Sequence, residues 1–419
     1  MKAVILGAGL EGVASAWYLR AAGHEVTVIE RQPAAGMETS FANGGQISVS
    51  HAEPWANPRA PLKVLKWLAR EDAPLLFRLR ADWRQWLWGI QFLAECLPAR
   101  ARRNTVALVK LGLYSRAALR ELRRETGIRY DELARGILHF YTDAREFEAA
   151  RAAAGLMQRL GLDCEVKTPD ECVALEPALS TCRGLLAGGT YAAGDESGDA
   201  HKFTQALARL AEARGVEFRF RTVIERIEAA GGEVTGVRVA RPDGPSEIVR
   251  GDAYVLALGS WSPLMVAPLG IRLAIYPAKG YSVTMPVKNP RAAWTVSLTD
   301  DEHKLVYSRL GERLRIAGTA ELAGYNLDVN PVRCTAIVRR VTQLFPEAGD
   351  PEKAEFWAGL RPSTPGNVPY IGRSRYRNLF FNTGHGTLGF THACGSARAL
   401  ADLMSGRKPE VDFPFTGCD

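Results

Sequence analysis

The chain has 419 residues, 47% apolar and 24% charged, which is typical of a folded protein of two domains or of one domain with a large insertion. Its seven cysteines form no CxxC pair, which argues against a zinc site and a disulfide framework and favours a reducing compartment. A strand-like run begins almost at Met1 and no apolar stretch reaches about 18 residues, so neither a signal peptide nor a membrane-spanning helix is predicted. We therefore expect a cytoplasmic protein.

The first thirty residues predict a strand–helix–strand unit. The apolar run KAVIL is typical of a buried parallel strand, and residues 12–22 suit a helix that ends at Gly23. HEVTVIE (24–30) then alternates as a second strand and ends on an acidic residue. This order predicts a Rossmann-like α/β domain around a parallel sheet.

The turn between the first strand and the helix carries a dinucleotide-binding pattern. GAGLEG (7–12) fits GxGxxG, in which the glycines permit a tight turn, close approach of a pyrophosphate and close packing of helix on strand. Glu30 lies at the end of the second strand, where a carboxylate can accept both ribose hydroxyl protons. The alternative is a glycine turn that only packs. The candidate contacts are Gly7, Ala8, Gly9, Leu10, Glu11, Gly12, Glu30 and Arg31.

Residues 38–48 (ETSFANGGQIS) form a loop of small polar residues where a nicotinamide enzyme would continue as a simple doubly wound domain. Backbone N–H groups and hydroxyls in such a loop can wrap the phosphates and ribityl chain of a cofactor. The alternative is a solvated turn. Because the loop leaves the second strand beside the predicted pyrophosphate, we favour cofactor contact. The candidate contacts are Thr39, Ser40, Asn43, Gly44, Gly45, Gln46 and Ile47.

Residues 54–103 carry most of the net charge of +7, with ten Arg or Lys against four acidic residues. They also hold five of the nine tryptophans, namely Trp55, Trp67, Trp83, Trp86 and Trp88. Basic residues interleaved with Trp and Leu are typical of a helix that lies on a membrane surface. The alternative is an amphipathic region whose tryptophans belong to the core. No nucleic-acid motif accompanies the charge, so we expect no nucleic-acid partner.

The remaining pattern predicts two discontinuous domains. Helices are predicted at about 60–95, 104–125, 144–160, 201–215, 331–345 and 391–406, and strands at 216–220, on both sides of the 231–232 turn, at 254–260, within 273–319 as an antiparallel sheet, and in EFWAGLRP and NLFFNTG. The cofactor-binding domain would comprise 1–50, 190–265 and 355–419, and the substrate-binding domain 51–189 and 266–354. We expect the site between them.

Residues 384–391 (GHGTLGFT) place three glycines directly before the last predicted helix. Such a density of glycine marks backbone that comes close to a ligand, although an ordinary turn is the alternative. Thr391 is expected to cap the helix. The candidate contacts are Gly384, His385, Gly386, Thr387, Leu388, Gly389, Phe390 and Thr391.

Four stretches together resemble the bacterial D-amino acid dehydrogenases, within the glycine-oxidase and D-amino-acid-oxidase type of FAD amine oxidoreductases. They are VILGAGLEGVASAWYLRAAGHEVTVIER, ETSFANGGQIS, GLRPSTPGNVPYIGR and NTGHGTLGFTHACGSARALADLMSGR, and the similarity runs from residue 1 to about 410. The resemblance implies a D-amino acid oxidase-like fold: a Rossmann-like FAD-binding domain and a discontinuous α+β substrate domain with an antiparallel sheet and helices. FAD would be bound non-covalently.

The resemblance also implies roles for single residues. Val223 would contact the adenine, and Ala257, Gly259 and Trp261 would run beside the ADP moiety. Arg361 matches the arginine that pairs with the substrate carboxylate, as a guanidinium fork does well.

Three further side chains are candidates for the reaction site. Tyr281 would line the pocket or bind the carboxylate, with core packing as the alternative. His51 and His385 would face the flavin. We expect no metal site, because the seven histidines are scattered without an HxH or HxxxH pair.

The expected reaction is oxidative deamination of a small D-amino acid to a 2-oxo acid and ammonia, with hydride transfer from Cα to flavin N5. The electrons would pass to a quinone or another respiratory-chain acceptor, or to a dye, at the cytoplasmic face of the inner membrane. The alternatives are an oxygen-using glycine or sarcosine oxidase, a proline or hydroxyproline dehydrogenase, and, from a different class, a flavin-binding subunit of a larger complex or a tRNA-modifying oxidase module.

Overall fold

Two large β-sheets and the helices that cover them form the core of the protein. A computed structural model describes residues 1–62, 75–242 and 244–417. The strands are β1 (Lys2–Leu6), β2 (Glu25–Ile29), β3 (Gln46–Ile47), β4 (Leu75–Phe77), β5 (Ile137–Tyr141), β6 (Glu165–Lys167), β7 (Gly188–Ala192), β8 (Glu196–Ser197), β9 (Glu217–Arg219), β10 (Val223–Ala230), β11 (Glu233–Ala240), β12 (Glu247–Val249), β13 (Ala253–Leu256), β14 (Tyr276–Pro286), β15 (Ser297–Asp300), β16 (Leu305–Leu310), β17 (Arg313–Leu322), β18 (Glu355–Ser363), β19 (Tyr370–Arg373) and β20 (Leu379–Thr383).

The α-helices are interspersed among these strands along the chain. They are α1 (Leu10–Ala21), α2 (Trp83–Glu95), α3 (Pro98–Thr126), α4 (Ala144–Arg159), α5 (Pro169–Leu175), α6 (Ala200–Ala213), α7 (Ser262–Val266), α8 (Pro331–Leu344) and α9 (Gly389–Met404). Short 3₁₀ helices occupy Pro177–Leu185, Gly259–Trp261, Ala267–Leu269 and Pro351–Lys353.

The predicted Rossmann-like unit forms a six-stranded sheet in the order β19-β20-β13-β1-β2-β9. All neighbouring strands in it are parallel except β19, which pairs antiparallel with β20. In β1, Ala3 and Ile5 pack into a core with α1, α6 and α9, while Val4 and Leu6 pack against the three-stranded sheet β10-β11-β12. Because both faces of the strand are covered, the sequence of β1 is continuously apolar rather than alternating.

The glycine turn after β1 has the geometry that its pattern predicts. A Cβ added to Gly12 would lie 1.9 Å from the carbonyl oxygen of Gly7, so only glycine lets α1 pack this closely on the turn. Gly7 itself has φ +102, a conformation that other residues rarely adopt. The turn therefore presents the N-terminus of α1 at the end of β1.

The second sheet is mixed and has nine strands. Its order is β18-β14-β17-β16-β15-β5-β7-β6, with β4 paired to β17. The predicted antiparallel strands within 273–319 form its centre as β14 to β17. The pairings β15–β5 and β17–β4 are parallel, so the sheet is not purely antiparallel.

The prediction of helix alone between residues 60 and 125 was wrong in part. Residues 63–74, which include Trp67, lie outside the described residues. Beyond them Leu75–Phe77 is a strand, and α2 begins only at Trp83, where the Asp82 side chain accepts a hydrogen bond from Arg84 N. The strands β5, β6 and β7 were also not predicted, because each has only three to five residues and depends on its neighbours in the sheet.

The domain boundaries remain a prediction. The strand β18 (Glu355–Ser363) was grouped with the cofactor-binding segments, yet it pairs with β14 at the edge of the mixed sheet. We therefore propose that the boundary between the two domains follows the two sheets and lies after β18.

Candidate active site

One large cavity joins the two sheets. Its volume is about 880 Å³, at the upper end of the usual range for ligand sites. At one end it is lined by the glycine turn and by Glu30 at the carboxyl end of β2, and at the other by the mixed sheet, with Thr299 and Arg361. The cavity thus extends from the predicted dinucleotide turn to the predicted carboxylate-binding arginine.

Most of the predicted site residues line this cavity. They are Gly7, Gly9, Leu10, Glu11, Glu30, Arg31, Thr39, Ser40, Asn43, Gly44, Gly45, Gln46, His51, Val223, Ala257, Gly259, Trp261, Tyr281, Arg361, His385, Gly386, Thr387, Leu388, Gly389, Phe390 and Thr391. Four predicted residues, Ala8, Gly12, Ile47 and Gly384, do not line it and lie behind its wall.

The end of β2 is fixed by hydrogen bonds to Glu30. Its carboxylate accepts from Ala8 N and Gln32 N, each at 2.8 Å. Burial raises the pKa of Glu30, although these two donors oppose the shift. Nearby, the Arg31 guanidinium lies 4.6 Å from the centre of the Trp261 ring. The Glu30 carboxylate, held by these two backbone donors, is suited to bind a ribose. The flat pair of Arg31 and Trp261 beside it is suited to an adenine.

The loop after β2 is tied to the mixed sheet. Gln46 Nε2 donates to Ser297 Oγ at 3.0 Å and to Thr299 Oγ1 at 3.1 Å. A Cβ on Gly44 would lie 2.5 Å from the Val306 side chain, so the loop crosses the sheet at van der Waals distance. The loop lines the cavity and can therefore contact a cofactor bound there.

The prediction that Thr391 caps the last helix was wrong. The helix α9 begins two residues earlier, at Gly389, and no side chain caps it. Thr391 Oγ1 instead accepts a hydrogen bond from Ser48 N at 3.0 Å and ties α9 to the loop after β3. The N-terminus of α9 consequently faces the cavity with backbone N–H groups available to a ligand.

Arg361 presents a cation to the cavity from β18. Its Nη1 donates to Thr319 O at 2.8 Å, and its guanidinium lies over Gly280, where a Cβ would be only 2.3 Å away. Burial, and then the charge of Arg333, lowers the pKa of Arg361 to about 10, so the group remains protonated at neutral pH. No carboxylate of the described residues forms a salt bridge with it. A buried cation without an anionic partner is suited to an anionic ligand.

Tyr281 also lines the cavity, but its hydroxyl is committed to another residue. It donates to Glu321 Oε2, and Tyr281 is only 1% exposed. Lys279 Nζ and Arg78 Nε also contact Glu321, at 3.4 and 2.6 Å. Burial, followed by the hydrogen bond to Glu321, raises the pKa of Tyr281 well above its usual range. Glu321 was not predicted as a partner of Tyr281, because it lies on a different strand of the sheet, β17.

The fold gathers His51, His139 and Asp301, which the sequence leaves far apart. Their potential ligand atoms lie within 4.8 Å of one another, and the two imidazoles stack with ring centres 5.3 Å apart. The Asp301 carboxylate is already bonded to His139 Nδ1 at 2.9 Å, Tyr141 OH at 3.0 Å and Lys304 Nζ at 3.1 Å. With three donors on one carboxylate, the cluster is a hydrogen-bonded wall of the cavity rather than an open metal site.

Comparison with known proteins decides the family. Residues 2–403 match the FAD dependent oxidoreductase family, which covers nearly the whole chain. The chain belongs to this family. A D-amino acid dehydrogenase of Dechloromonas aromatica (strain RCB) is 60% identical over 418 residues, covering 100% of both chains. Another, of Paramagnetospirillum magneticum, is 58% identical over 100% of this chain and 98% of its own.

A solved structure confirms the fold. Glycine oxidase from Geobacillus kaustophilus superposes with a TM-score of 0.75, covering 100% of this chain and 98% of that chain at 23% identity. The D-amino acid oxidase-like fold class predicted from the sequence is therefore confirmed.

The residues of the cavity fit FAD, the cofactor of the family. The N-cap positions of α1 and α9 provide no side-chain cap, although Leu10 N at the start of α1 donates to Ser40 Oγ at 3.2 Å. His385 is buried with neither ring nitrogen hydrogen-bonded within the described part of the chain. These groups supply donors at the two places where a dinucleotide carries negative charge or carbonyl oxygens. Residues of both places line the same cavity.

Proposed function

We propose that this protein oxidises D-amino acids to 2-oxo acids and ammonia, with FAD as the cofactor. The observation that carries the proposal is Arg361, a cation without an anionic partner among the described residues, in the same cavity as the dinucleotide turn. The full-length relatives named D-amino acid dehydrogenase support the substrate class. The configuration at Cα rests on these relatives alone.

In the proposed mechanism, Arg361 binds the substrate carboxylate and thereby fixes the position of Cα. Thr319 O and Gly318 O hold the guanidinium against the floor of the cavity, at 2.8 and 3.5 Å. FAD, when bound, would supply the two-electron oxidation as an acceptor of hydride. The substrate amine must be neutral for this step, and the charge of Arg361 favours loss of its proton. Water then hydrolyses the released imino acid.

The cofactor contacts predicted from the sequence are part of this proposal. The α1 N-terminus and Glu30 would hold the pyrophosphate and ribose, and Val223 would hold the adenine from the start of β10. The N-terminus of α9 would face the flavin edge on which negative charge accumulates during reduction. His51 and His385 would then line the ring rather than exchange protons with the substrate.

Substitution of Arg361 tests the role of the guanidinium. Charge-assisted hydrogen bonds are worth roughly 1.5–3 kcal/mol, so Arg361→Ala should lower kcat/KM by about 10- to 150-fold, mainly through KM. Arg361→Lys should recover part of the loss, because a cation is restored without the fork. FAD content, measured by absorbance, should be unchanged in both variants. An unchanged KM in Arg361→Ala would remove Arg361 from the carboxylate site.

We further propose that the electrons pass to a quinone at a membrane surface. The helix α2 carries a stripe of exposed apolar residues at helical spacing: Trp83, Trp86, Leu87, Ile90 and Leu93, continued by Leu97. Trp83 is 60% and Ile90 66% exposed. Exposed Arg84, Arg100, Arg102 and Arg103 flank the stripe. An apolar stripe with basic flanks suits the headgroup region of an anionic bilayer.

Some tryptophans of residues 54–103 are packed in the core, and others are exposed as a membrane-surface helix requires. Trp88 is 5% exposed and donates through Nε1 to Ser363 O at 2.8 Å, so it belongs to the core. Trp83 and Trp86 are exposed and support the surface interpretation. Among the described residues, none of the helices has the length and apolarity needed to cross a bilayer.

A further inference from the structure

A carboxyl group lies inside the predicted phosphate-binding turn. Glu11 is the second residue of α1 and lines the cavity, and its side chain is 19% exposed. Its Oε1 lies 3.8 Å from His385 Nδ1, and a Cβ on Gly389 would be only 2.8 Å from it. The carboxyl therefore lies where the N-termini of α1 and α9 meet, which is also where the cofactor must pass.

In the part of the chain that the structure describes, no Arg or Lys forms an ion pair with Glu11. Within the described part of the chain, His385 is the one titratable partner within salt-bridge distance of it. Burial, and then His392, lowers the pKa of His385 well below its usual range, and burial lowers the pKa of His392 in α9 to about 4, so both are neutral. On the side of β2, Glu30 is anionic or neutral but never cationic, and its carboxyl is bonded to Ala8 N.

An ionised carboxylate in this place opposes FAD. The pyrophosphate of FAD is anionic and binds at the N-terminus of α1, so a carboxylate in the first turn of that helix repels it at low local dielectric. A neutral carboxyl does not repel it and can donate a hydrogen bond to a phosphate or carbonyl oxygen. The dipoles of α1 and α9 favour the ionised form of Glu11. Once FAD is bound, the same dipoles also act on the negative charge of FAD.

We propose that Glu11 is a positioning residue of the FAD site that accepts a proton when FAD binds, so that the holoenzyme holds it as a neutral carboxyl beside His385. The inference rests on the FAD site of the proposed function and not on its substrate. No electrons are exchanged in this step: one proton moves from solvent to a Glu11 oxygen. Neither nitrogen of the His385 ring has a hydrogen-bond partner in the described structure, and its Nδ1 lies 3.8 Å from the carboxyl that gains this proton.

The pKa of Glu11 in the FAD-free protein determines how the affinity for FAD changes with pH. Burial raises the pKa of Glu11 to about 7, so without FAD the group is mostly neutral at pH 6 and mostly ionised at pH 8. Since bound FAD raises this pKa further, the affinity for FAD should be constant below about pH 6 and fall by up to about tenfold per pH unit above pH 7.

Titration of the FAD-free full chain with FAD at constant ionic strength tests the proposal, with flavin fluorescence as the readout. Between pH 6 and pH 8.5 the wild-type Kd should rise by about tenfold or more. Glu11→Gln should bind FAD with a Kd that changes less than about twofold over the same range. Glu212→Gln, an exposed position on α6, is the matched control and should follow the wild type.

A second measurement needs no variant. Calorimetric titration of wild-type FAD-free protein at pH 7.5, in two buffers of different ionisation enthalpy, should report uptake of about half a proton or more per FAD. No uptake, or an equal pH dependence in wild type and Glu11→Gln, would overturn the proposal. Because both measurements follow FAD binding alone, they are independent of the D-amino acid substrate and leave that proposal untouched if they fail.

Discussion

Among the single residues of the cavity, two charged side chains differ in whether the protein itself supplies their partners. Arg361 lacks an anionic partner in the described structure, whereas Asp301 is bonded to a histidine, a tyrosine and a lysine. A bound substrate can compensate the charge of Arg361, whereas the charge of Asp301 is compensated within the protein. We therefore assign Arg361 to binding and Asp301 to the stability of the cavity wall.

Asp301 should contribute to stability in a pH-dependent way. Burial raises its pKa, but Lys304, His139 and His51 together outweigh burial and hold that pKa well below its usual range. A carboxyl whose pKa is depressed on folding stabilises the protein above its unfolded pKa, near 4, and loses this effect as pH falls through the folded value. Asp301→Asn should therefore lower the free energy of unfolding at pH 7 by about 3 kcal/mol.

Denaturant unfolding monitored by circular dichroism measures this difference. The gap between wild type and Asp301→Asn should close as pH falls below about 4. Asp170→Asn, which removes an exposed pair with Arg183, is the control and should unfold as the wild type does. An Asp301→Asn protein as stable as the wild type at pH 7 would contradict the assignment.

Where the signal is local, the predicted residues lie in the fold where the sequence places them. The GxGxxG turn and Glu30 lie within one strand–helix–strand unit, so spacing along the chain fixes their geometry. The cluster of His51 and Asp301 was missed because it depends on the pairing of β5 with β15, which places His139 beside Thr299. No spacing of residues along the sequence predicts that β5 pairs with β15.

At the scale of elements, the loop before α9 should control cofactor binding. Gly386 has φ +56, which a β-branched residue adopts only with strain, and Gly386 N donates to Pro362 O at 3.0 Å. Gly386→Val should displace the loop and weaken FAD binding by about tenfold or more.

Equilibrium titration with FAD measures this effect against a matched glycine. Gly406 also has a positive φ, +72, and nothing lies within 4 Å of a Cβ built on it, but it follows α9 at the opposite end. Gly406→Val carries a similar backbone strain away from the cavity and should retain wild-type affinity for FAD. Equal losses in both variants would mean that the effect is general destabilisation.

The helix α2 should determine attachment to membranes. Replacing Trp86 and Ile90 together by Ser removes two of its exposed apolar side chains and should reduce co-sedimentation with anionic liposomes at low salt by about tenfold or more. Replacing Leu185 and Phe356, two exposed apolar residues elsewhere, by Ser is the control and should leave co-sedimentation unchanged. A wild-type protein that does not bind such liposomes would exclude the membrane surface.

The longest elements were predicted well and the shortest were not. The helices α3, α4, α6 and α8 and the hairpin of β10 and β11 have strong local periodicity, and each was expected close to its observed place. The strands β4 and β6 have three residues each, and the sheet rather than their sequence stabilises them. The start of α9 was misplaced because Thr391 resembles a cap but bonds to Ser48 N instead.

At the scale of the whole molecule, the site exists only where distant segments meet. The cavity is lined by residues from the N-terminal turn, from the mixed sheet and from the loop before the last helix. This interleaving explains why the family resemblance extends over residues 2–403 rather than over one contiguous domain. In the proposed site, the cofactor and the substrate would therefore contact parts of the chain that no single segment can supply.

The proposed reaction is the oxidation of D-amino acids in this cavity, with electrons passing first to FAD. It can be tested by anaerobic mixing of the FAD-loaded protein with single D- and L-amino acids, with the visible absorbance of oxidised flavin as the readout. D-amino acids should bleach the flavin and their L-enantiomers should not, and Arg361→Ala should require far higher concentrations. Bleaching by L-amino acids alone, or by no amino acid of either series, would contradict it.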